Sequence, residues 1–472
     1  MKTLSNKIWL LFVILSVQVL FSQEKVVIFA INDPHGSIEN FSKIKPLIEE
    51  EKKKDTPVYF VSAGDLFSGN PFVDFAAEKG FPMIDLLNKT DLDITVLGNH
   101  EFDYGQTILN KRIAQSNFPF ICDNISGGKE EIKAMEGYKI ITKKGISIAF
   151  IGVIETSSPQ GKPLTHPKKL EGLEFTDAME SFPKFKNFKE KKDVDLLVAL
   201  THYGSNNDEK VVEKFDFIDL VIGGHNNQEY GKSYKDAFMV MSGKRLEKMS
   251  KTTLTISDKK ITDFKFELID LSNPALEKDA GIEAVVDTYI TRPEFFEKIG
   301  TSAVTHNRNE TGCFYTDALR SVSGADIVLQ NMGGVRNVLK KGDITPFSVY
   351  SIDPFGNGFD TFEIQVSELK KFLKNYDDTY SLSTDLGIEK RAGKFRIIKE
   401  GEILKDTATI TLSLNDYVSK VNEMFFEAPI VSFPKTTAEY LVQYIKQLKN
   451  EPINYKNCNH REPGYQEEDK QY

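Results

Sequence analysis

The chain has 472 residues, of which 40% are hydrophobic and 27% are charged, so it is long enough for more than one packed domain. Its 60 lysines and arginines stand against 69 acidic residues, and the net charge of -9 gives no electrostatic reason to expect a nucleic-acid polymer as partner. Three cysteines are too few for a disulfide framework or a thiolate metal site and allow at most one disulfide.

The first 22 residues have the pattern of a secretory signal peptide. Lys2 and Lys7 give a basic start, and residues 8–21 are almost entirely apolar. This run is shorter than the ~20 residues that a membrane-spanning helix needs. We expect cleavage near Ser22, export to the periplasm or the extracellular space, and no membrane span in the mature chain. An uncleaved amino-terminal anchor is the alternative, and the sequence does not indicate an oligomeric state.

Short β-branched and apolar runs alternate with polar helical stretches in the first half of the chain, which is the pattern of an α/β layered fold. The predicted strands are 26–31, 58–62, 94–97, 148–154, 196–200 and 220–222. Five of them are followed by polar side chains, namely Asp33 with His35, Asp65, Asn99 with His100, His202, and His225. Because ligands of open α/β sheets bind at the carboxyl ends of strands, we expect these side chains to converge on one site.

The pattern changes after residue 268. Asn273-Pro274 interrupts the sheet pattern, and the acidic stretch 275–289 predicts a linker helix. A second alternation then predicts a helix at 314–323 and strands at 326–329 and 359–366. The predicted organisation is a signal peptide at 1–22, a catalytic domain at 23–268, a linker region at 269–299 and a substrate-binding domain at 300–465.

The strand-end side chains have the composition of a two-metal site. Imidazole nitrogens and carboxylate oxygens suit divalent cations of intermediate softness, and such a site needs about seven ligands, at least one of them bridging. Each motif alone has an ordinary structural reading, such as Gly64-Asp65 as a turn, and only the combination favours metal binding. The candidate ligands are Asp33, His35, Asp65, Asn99, His202, His225 and, through its amide oxygen, Asn227.

The chain resembles the calcineurin-like metallophosphoesterase superfamily, specifically its exported 5′-nucleotidase and UDP-sugar hydrolase branch, in the motifs Asp33-Pro34-His35, Gly64-Asp65, Gly98-Asn99-His100-Glu101, Thr201-His202 and Gly224-His225-Asn226-Asn227. The resemblance implies a four-layer α/β/β/α sandwich that a linker helix joins to an α+β substrate-binding domain. It also implies two divalent metal ions, zinc or manganese first, with iron, cobalt or magnesium as alternatives.

The same resemblance divides the ligands between two ions. It assigns Asp33, His35, Asp65 and Asn227 to one ion, and Asp65, Asn99, His202 and His225 to the other. His100 is then a catalytic group near the phosphoryl oxygens rather than a ligand, and Asp103 orients its ring and favours its charged form. The implied reaction is hydrolysis by in-line attack of a metal-bound water on phosphorus.

The second domain resembles the nucleotide-binding domain of the same family. The implied substrate-binding residues are Asn331, Arg336, Phe355, Tyr417, Glu423 and Arg308. Arg336 follows two glycines and is suited to binding an oxyanion, while Phe355 and Tyr417 form an aromatic clamp for the base. Glu423 stands where the family has an aspartate that binds ribose, but the glycines that accompany this aspartate are absent.

The sequence therefore favours a 5′-nucleotidase that takes a small-molecule nucleotide, with UDP-sugar hydrolysis as an additional activity. One alternative is a 2′,3′-cyclic nucleotide phosphodiesterase, and a thiosulfohydrolase also shares the metal half of the fold. An alternative of a different class is a nucleotide-binding protein with an inactive metal centre. The complete ligand set and His100 argue against this last reading.

Overall fold

The structure, a computed structural model, describes residues 23–458 except 129–131, 133–134, 159, 376–379, 383–385, 392–393, 427 and 450. The predicted signal peptide and the predicted end of the second domain beyond residue 458 lie outside the described residues. Within the described part, none of the helices combines the length and the apolar character needed to cross a membrane.

Two six-stranded sheets pack face to face in the first half of the chain. The strands of the first sheet, in spatial order, are β14 (Lys260–Asp270), β13 (Lys248–Ser257), β1 (Glu24–Ile31), β2 (Val58–Ser62), β3 (Ile94–Val96) and β4 (Phe120–Ile121). Those of the second sheet are β11 (Glu229–Tyr234), β12 (Ala237–Ser242), β10 (Leu220–Gly223), β9 (Leu196–His202), β7 (Ile146–Ile154) and β6 (Tyr138–Lys143). A small pair, β5 (Ile125–Gly127) and β8 (Leu173–Phe175), lies outside them.

Because successive side chains of a strand point to opposite faces, each central strand contributes residues to two hydrophobic cores. In β1, Val26 and Ile28 lie between the two sheets, whereas Val27 and Phe29 face the helices. The helices against the first sheet are α1 (Ile44–Lys52), α2 (Pro71–Asp74), α3 (Phe81–Lys89) and α4 (Gln106–Gln115). Those against the second are α5 (Phe188–Lys192) and α6 (Ser205–Lys214). This layer order confirms the predicted α/β/β/α sandwich.

The six predicted strands are all present, with ends within two residues of the prediction. Strand β2 coincides with the predicted range 58–62 because every one of its residues is buried. Strands β4, β6 and β11 to β14 of the two sheets were not predicted. In the edge strands β6, β11 and β14 the apolar signal is weak, because none of their residues is fully buried.

Linker helix α7 (Ala280–Ile290) packs on the catalytic domain and does not stand free. Its residues Ile282 and Val286 are buried, and the Tyr289 hydroxyl donates to Asp85 Oδ2 at 2.9 Å. The helix begins five residues later than the predicted range 275–289, at the point where the Asp279 side chain caps its first turn.

An aromatic cluster lies where the linker meets the second domain. Phe72 and Phe75 come from the catalytic domain, Phe295 from the linker, and Phe347 and Tyr350 from the second domain. The ring centroids of Phe75 and Tyr350 are 4.3 Å apart, and those of Phe72 and Phe347 are 4.9 Å apart. Such pairs contribute about 0.5–1.5 kcal/mol each beyond the area that they bury. The cluster therefore stabilises the observed position of the second domain.

The second domain is built on one mixed sheet, in which three of the four strand pairs are antiparallel, with helices on both faces. Its strands, in spatial order, are β19 (Tyr380–Leu382), β16 (Ile327–Asn331), β23 (Thr409–Asn415), β18 (Phe359–Gln365) and β24 (Val431–Phe433). Its helices are α8 (Arg308–Ser323), α9 (Pro346–Ile352), α10 (Val366–Asn375), α11 (Asp416–Val421) and α12 (Thr437–Gln447). Smaller sheets pair β15 (Gly300–Ser302) with β17 (Gly342–Ile344), and β20 (Leu386–Arg391) with β21 (Lys394–Lys399) and β22 (Glu402–Ile403).

A disulfide between Cys313 and Cys458 joins α8 to the last described residue of the chain. The two cysteines are 145 positions apart in sequence, so the bridge encloses most of the second domain. Cys122 is a buried free thiol in the catalytic domain. The single disulfide that the sequence allowed is therefore present, although its partners could not be identified from spacing.

Replacing Cys313 and Cys458 by serine should lower the free energy of unfolding of the second domain by about 2–4 kcal/mol, because the open chain regains conformational entropy on unfolding. Urea unfolding followed by circular dichroism measures the change. The control is Cys122→Ala, which should remain as sensitive to a reductant as the parent protein. Unfolded, unreduced parent protein should show a single reactive thiol, and three reactive thiols would contradict the pairing.

Candidate metal centre

Asp65 lies at the centre of the predicted ligands, at the edge of the sandwich where the strands carrying them end. Its side chain is 1% exposed, and its Oδ2 lies 3.1 Å from His202 Nε2, 3.9 Å from His35 Nε2 and 4.0 Å from His100 Nε2. It belongs to two groups of donor atoms that could hold a metal ion, one with His35 and His100 and the other with Asp33 and His202. A carboxylate shared by two such groups has the position of a bridging ligand.

The amide side chains complete the donor set. Asn99 Nδ2 donates to the Leu164 carbonyl at 3.0 Å, which turns Asn99 Oδ1 toward His202 Nε2 and His225 Nδ1, each at 3.2 Å. Asn227 Oδ1 is buried without a hydrogen-bond partner in the part of the chain that the structure describes. A buried oxygen of this kind is costly unless something supplies a partner. A divalent cation would do so, and the donor set fits one.

The division of the ligands between two ions stays a prediction. The resemblance separates Asp33 from His202, but the donor atoms of these two residues belong to one group. His100, expected to be catalytic, lies within the other group together with His35. The grouping that the resemblance implies and the grouping by distance both contain Asp65. They differ in which residues are placed with it.

Five of the predicted ligands have a backbone conformation that residues other than glycine rarely adopt. The φ angles are 49° at Asp33, 47° at His35, 56° at Asp65, 88° at His225 and 59° at Asn227. Residues other than glycine avoid positive φ, and each such position costs of order ~1–3 kcal/mol. Strain of this kind clusters at functional sites, and no local sequence pattern reveals it.

Two glycines let the ligand loops approach each other. A Cβ on Gly64, which has a φ of +85°, would lie 2.8 Å from Gly98 N, and a Cβ on Gly98 would lie 2.2 Å from Asp65 Oδ1. The Glu101 carboxylate joins the same loops, since it accepts the backbone N–H groups of Gly98, Asp65 and Leu66 at 2.7, 3.1 and 2.6 Å. Glu101 is therefore a structural residue that holds the loops of the predicted ligands together.

Backbone carbonyls fix the orientation of two histidine rings. His202 Nδ1 lies 2.8 Å from the Ala63 carbonyl and His35 Nδ1 lies 3.1 Å from the Ser68 carbonyl. A carbonyl oxygen can only accept, so Nδ1 carries the proton and Nε2 faces Asp65. Burial lowers the pKa of His202, but Asp65, together with Asp33 and the Ala63 carbonyl, more than offsets this and raises it to about 10.

His100 and Asp103 form a hydrogen-bonded pair beside the ligands. His100 Nδ1 donates to Asp103 Oδ2 at 2.7 Å, and Asp103 Oδ1 accepts from the Thr165 hydroxyl at 2.7 Å. Burial lowers the pKa of His100, but Asp65 and then Asp103 more than offset this, so the pKa is raised. The ring is thus held in one orientation and its protonated form is favoured.

Two predicted substrate-binding residues of the second domain face this centre. Arg336 Nη2 lies 3.2 Å from His35 Nε2, and the Phe355 ring stacks on His100 with centroids 5.7 Å apart and an angle of 19°. Arg245 of the catalytic domain donates to the Arg336 carbonyl at 2.8 Å. Burial lowers the pKa of Arg336 to about 10, so the guanidinium stays charged at neutral pH.

The other four predicted substrate-binding residues lie within the second domain itself. Asn331 is buried and its amide oxygen accepts a hydrogen bond from a neighbouring asparagine at 2.9 Å. Arg308 donates to backbone carbonyls of the turn at 332–335, which precedes Arg336. Tyr417 packs partly buried against the core, and Glu423 is exposed. Their roles toward a substrate stay predictions.

Two residues near the predicted metal centre were not predicted from the sequence. Glu155 is 1% exposed and its carboxylate accepts the N–H groups of Ser157 and Leu164 at 2.6 and 2.5 Å. It directly follows β7, so the strand-end rule that selected the predicted ligands would also have selected it. Arg245 carries no such signal, because its place beside Arg336 depends on a contact between domains.

Two known families match the two halves of the chain. Residues 26–228 match the calcineurin-like phosphoesterase family, and residues 297–428 match the C-terminal domain of 5′-nucleotidase. Endonuclease YhcR of Bacillus subtilis (strain 168) is 27% identical over 459 residues, but this chain spans only 37% of its length and is itself covered to 86%. The 5′-nucleotidase of Vibrio cholerae is 24% identical over 422 residues, with 74% of this chain and 75% of that protein covered.

A solved structure has the same fold. The crystal structure of a 5′-nucleotidase precursor from Thermus thermophilus superimposes with a TM-score of 0.81 at 21% identity, and covers 90% of this chain and 97% of its own. The two family matches together cover more than half of the chain and coincide with the sandwich and the second domain. The chain therefore belongs to the 5′-nucleotidase family, in which a calcineurin-like phosphoesterase domain is followed by a 5′-nucleotidase C-terminal domain.

Proposed function

We propose that this protein is a divalent-metal-dependent hydrolase that converts nucleoside 5′-monophosphates to nucleosides and phosphate. One observation carries the proposal: the second domain presents Arg336 and Phe355 to the predicted metal ligands and to His100. A guanidinium and an aromatic ring side by side complement a phosphate and a base within one ligand. UDP-sugar hydrolysis would need the same groups and is a second activity that we propose.

The predicted ligands would hold two ions, zinc or manganese first, around Asp65. Bound ions would lower the pKa of a coordinated water and neutralise phosphoryl oxygens. Arg336 can donate to two phosphate oxygens through its planar fork, and its charge stands beside the ligands at His35. The anionic end of a nucleotide is therefore attracted to this point even though the protein as a whole is acidic.

His100 acts on the phosphoryl group or on the leaving 5′-oxygen. Its Nδ1 proton is held by Asp103, so Nε2 is the nitrogen that can donate a proton or a hydrogen bond. Thr165 fixes Asp103 in turn, which keeps the ring from rotating. An intact pair of this kind supports an enzyme over a nucleotide-binding protein with an inactive metal centre.

We also propose that the protein is exported to the periplasm or the extracellular space. The basic and apolar pattern of residues 1–22 supports this, and so does the disulfide between Cys313 and Cys458. Disulfides persist in oxidising compartments and are rare in the cytosol.

Hydrolysis of AMP, UMP, UDP-glucose, 2′,3′-cyclic AMP and ribose 5-phosphate should be fastest with the nucleoside 5′-monophosphates and should stop when a chelator removes the metal. A colorimetric phosphate assay measures the monoesters. Chromatography of the products measures UDP-glucose and 2′,3′-cyclic AMP, because their first hydrolysis gives monoesters and no free phosphate. Both assays are repeated after zinc or manganese is added back. Faster turnover of the cyclic nucleotide would favour the phosphodiesterase. No metal-dependent hydrolysis of any compound would refute the enzyme.

The substitution His100→Ala should lower kcat by about 10²- to 10⁴-fold, the usual contribution of a general acid or base, while the bound metal is retained. Asp65→Ala should lose both metal and turnover, because it removes the shared ligand. Metal content by mass spectrometry and kcat for AMP separate the two effects. An Asp65→Ala protein with full activity would contradict the assignment.

The substitution Tyr417→Ala should raise KM for AMP by about tenfold or more, since stacking on an aromatic ring contributes about 1–3 kcal/mol per base. KM for ribose 5-phosphate, which has no base, should stay within a factor of about two. Tyr417→Phe is the matched control and should behave as the parent protein. An equal rise of KM for both substrates would show that Tyr417 does not stack on the base.

A further inference from the structure

The segment 160–170, here called the strap, belongs to the catalytic domain but touches both the metal centre and the second domain. Buried Glu155 anchors it on the catalytic side, because Glu155 Oε1 accepts the Leu164 N–H at 2.5 Å. Three successive residues, Leu164, Thr165 and His166, then contact three different parts of the molecule.

Toward the metal centre, the strap orients a ligand and the catalytic pair. The Leu164 carbonyl accepts from Asn99 Nδ2 at 3.0 Å. This hydrogen bond orients Asn99 Oδ1 toward the other predicted ligands. The Thr165 hydroxyl donates to Asp103 Oδ1 at 2.7 Å, and the other oxygen of Asp103 holds the His100 ring. A displaced strap would free Asn99 to turn its NH₂ group toward the cations.

Toward the second domain, the strap touches helix α11. His166 Nδ1 accepts from the Lys168 N–H at 3.2 Å, so the ring proton is on Nε2, which lies 3.6 Å from Asp416 Oδ2. Gln160 Nε2 donates to the Val421 carbonyl at 2.6 Å, at the other end of the same helix. His166 is 7% exposed, so water screens its approach to Asp416 only weakly.

Asp416 connects this contact to the proposed nucleotide pocket. Its Oδ1 accepts the Gly358 N–H at 2.9 Å, and Gly358 follows Phe355 by three residues. Asp416 also directly precedes Tyr417. The side chain that meets the strap is therefore bonded to the loop of one aromatic residue and adjacent to the other.

We propose that His166 is a positioning residue: through the strap it makes the orientations of Asn99 and Asp103 depend on where helix α11 lies. Peptide units are rigid and successive Cα atoms are about 3.8 Å apart, so the few φ and ψ angles between His166 and Leu164 absorb only small shifts, and a larger shift of His166 displaces Thr165 and Leu164. The metal centre is then arranged for turnover only while the second domain sits against the strap. This coupling goes beyond the proposed reaction and does not depend on which nucleotide is hydrolysed.

A double-mutant cycle tests the coupling in the full-length metal-loaded protein. His166→Ala and Asp416→Asn should each lower kcat for AMP by about 10- to 100-fold, the usual effect of losing a group that orients a metal ligand. The double variant should be no slower than His166→Ala, because both changes break the same contact. His166→Gln, which keeps a donor of similar reach, should recover most of kcat. Lys168→Ala is the matched control on the same strap, since its backbone donor is kept.

A second measurement does not require activity. In metal-free protein, amide hydrogen exchange should be faster in His166→Ala over residues 160–170 and in α11, and unchanged in the core strands β2 and β9. The same variant should release bound metal to a chelator about tenfold faster or more, because Asn99 is no longer held. A melting temperature within about 2 °C of that of the parent protein separates positioning from general destabilisation.

Multiplying losses of kcat in the double variant, or a His166→Ala protein with the kcat, exchange and metal release of the parent, would overturn the proposal. Failure of His166→Gln to recover kcat would do the same, because it would assign the loss to packing. An inactive parent protein would refute the proposed function alone, since exchange and metal release would still report on the strap.

Discussion

The buried carboxylate of Asp65 is the group on which the rest of the site depends. It stands at the end of β2 in one sheet and faces His202, at the end of β9, in the other. Burying a carboxylate to 1% exposure costs free energy unless positive charge or hydrogen-bond donors surround it. Here the imidazoles of His35, His100 and His202 and the backbone N–H of His100 do so. The strained ligand loops and the close approach at Gly98 are consequences of bringing that many groups to one oxygen pair.

The second domain is positioned by contacts of two different kinds. The aromatic cluster around Phe72 and Tyr350 is apolar and stabilises the contact between the domains through burial and ring packing. The contacts of Arg336 with His35, and of Arg245 with the Arg336 carbonyl, are directional and depend on distance. Together they hold the second domain in the position in which Arg336 and Phe355 face the metal centre.

That the candidate ligands lie together could be predicted from the sequence, because a polar group that follows a fully buried strand is costly unless it has a partner. Strand β2, with all five residues buried, and Asp65 after it show this most clearly. Glu155 obeys the same rule. What could not be predicted depends on residues far apart in the chain: the positive φ of His225, the pairing of Cys313, and the contact of His166 with Asp416 in the other domain are products of tertiary packing.

The disulfide also determines what a proteolytic cut in the second domain does to the protein. Because it joins Cys313 to Cys458, a single proteolytic cut in any loop between these residues leaves both pieces covalently linked. The fragment that carries Arg336 and Phe355 would thus stay attached to the metal-binding half. The strands of its sheet could remain paired after cleavage. In the oxidising compartment that we propose for the protein, a cleaved molecule would keep both sides of its site until the disulfide is reduced.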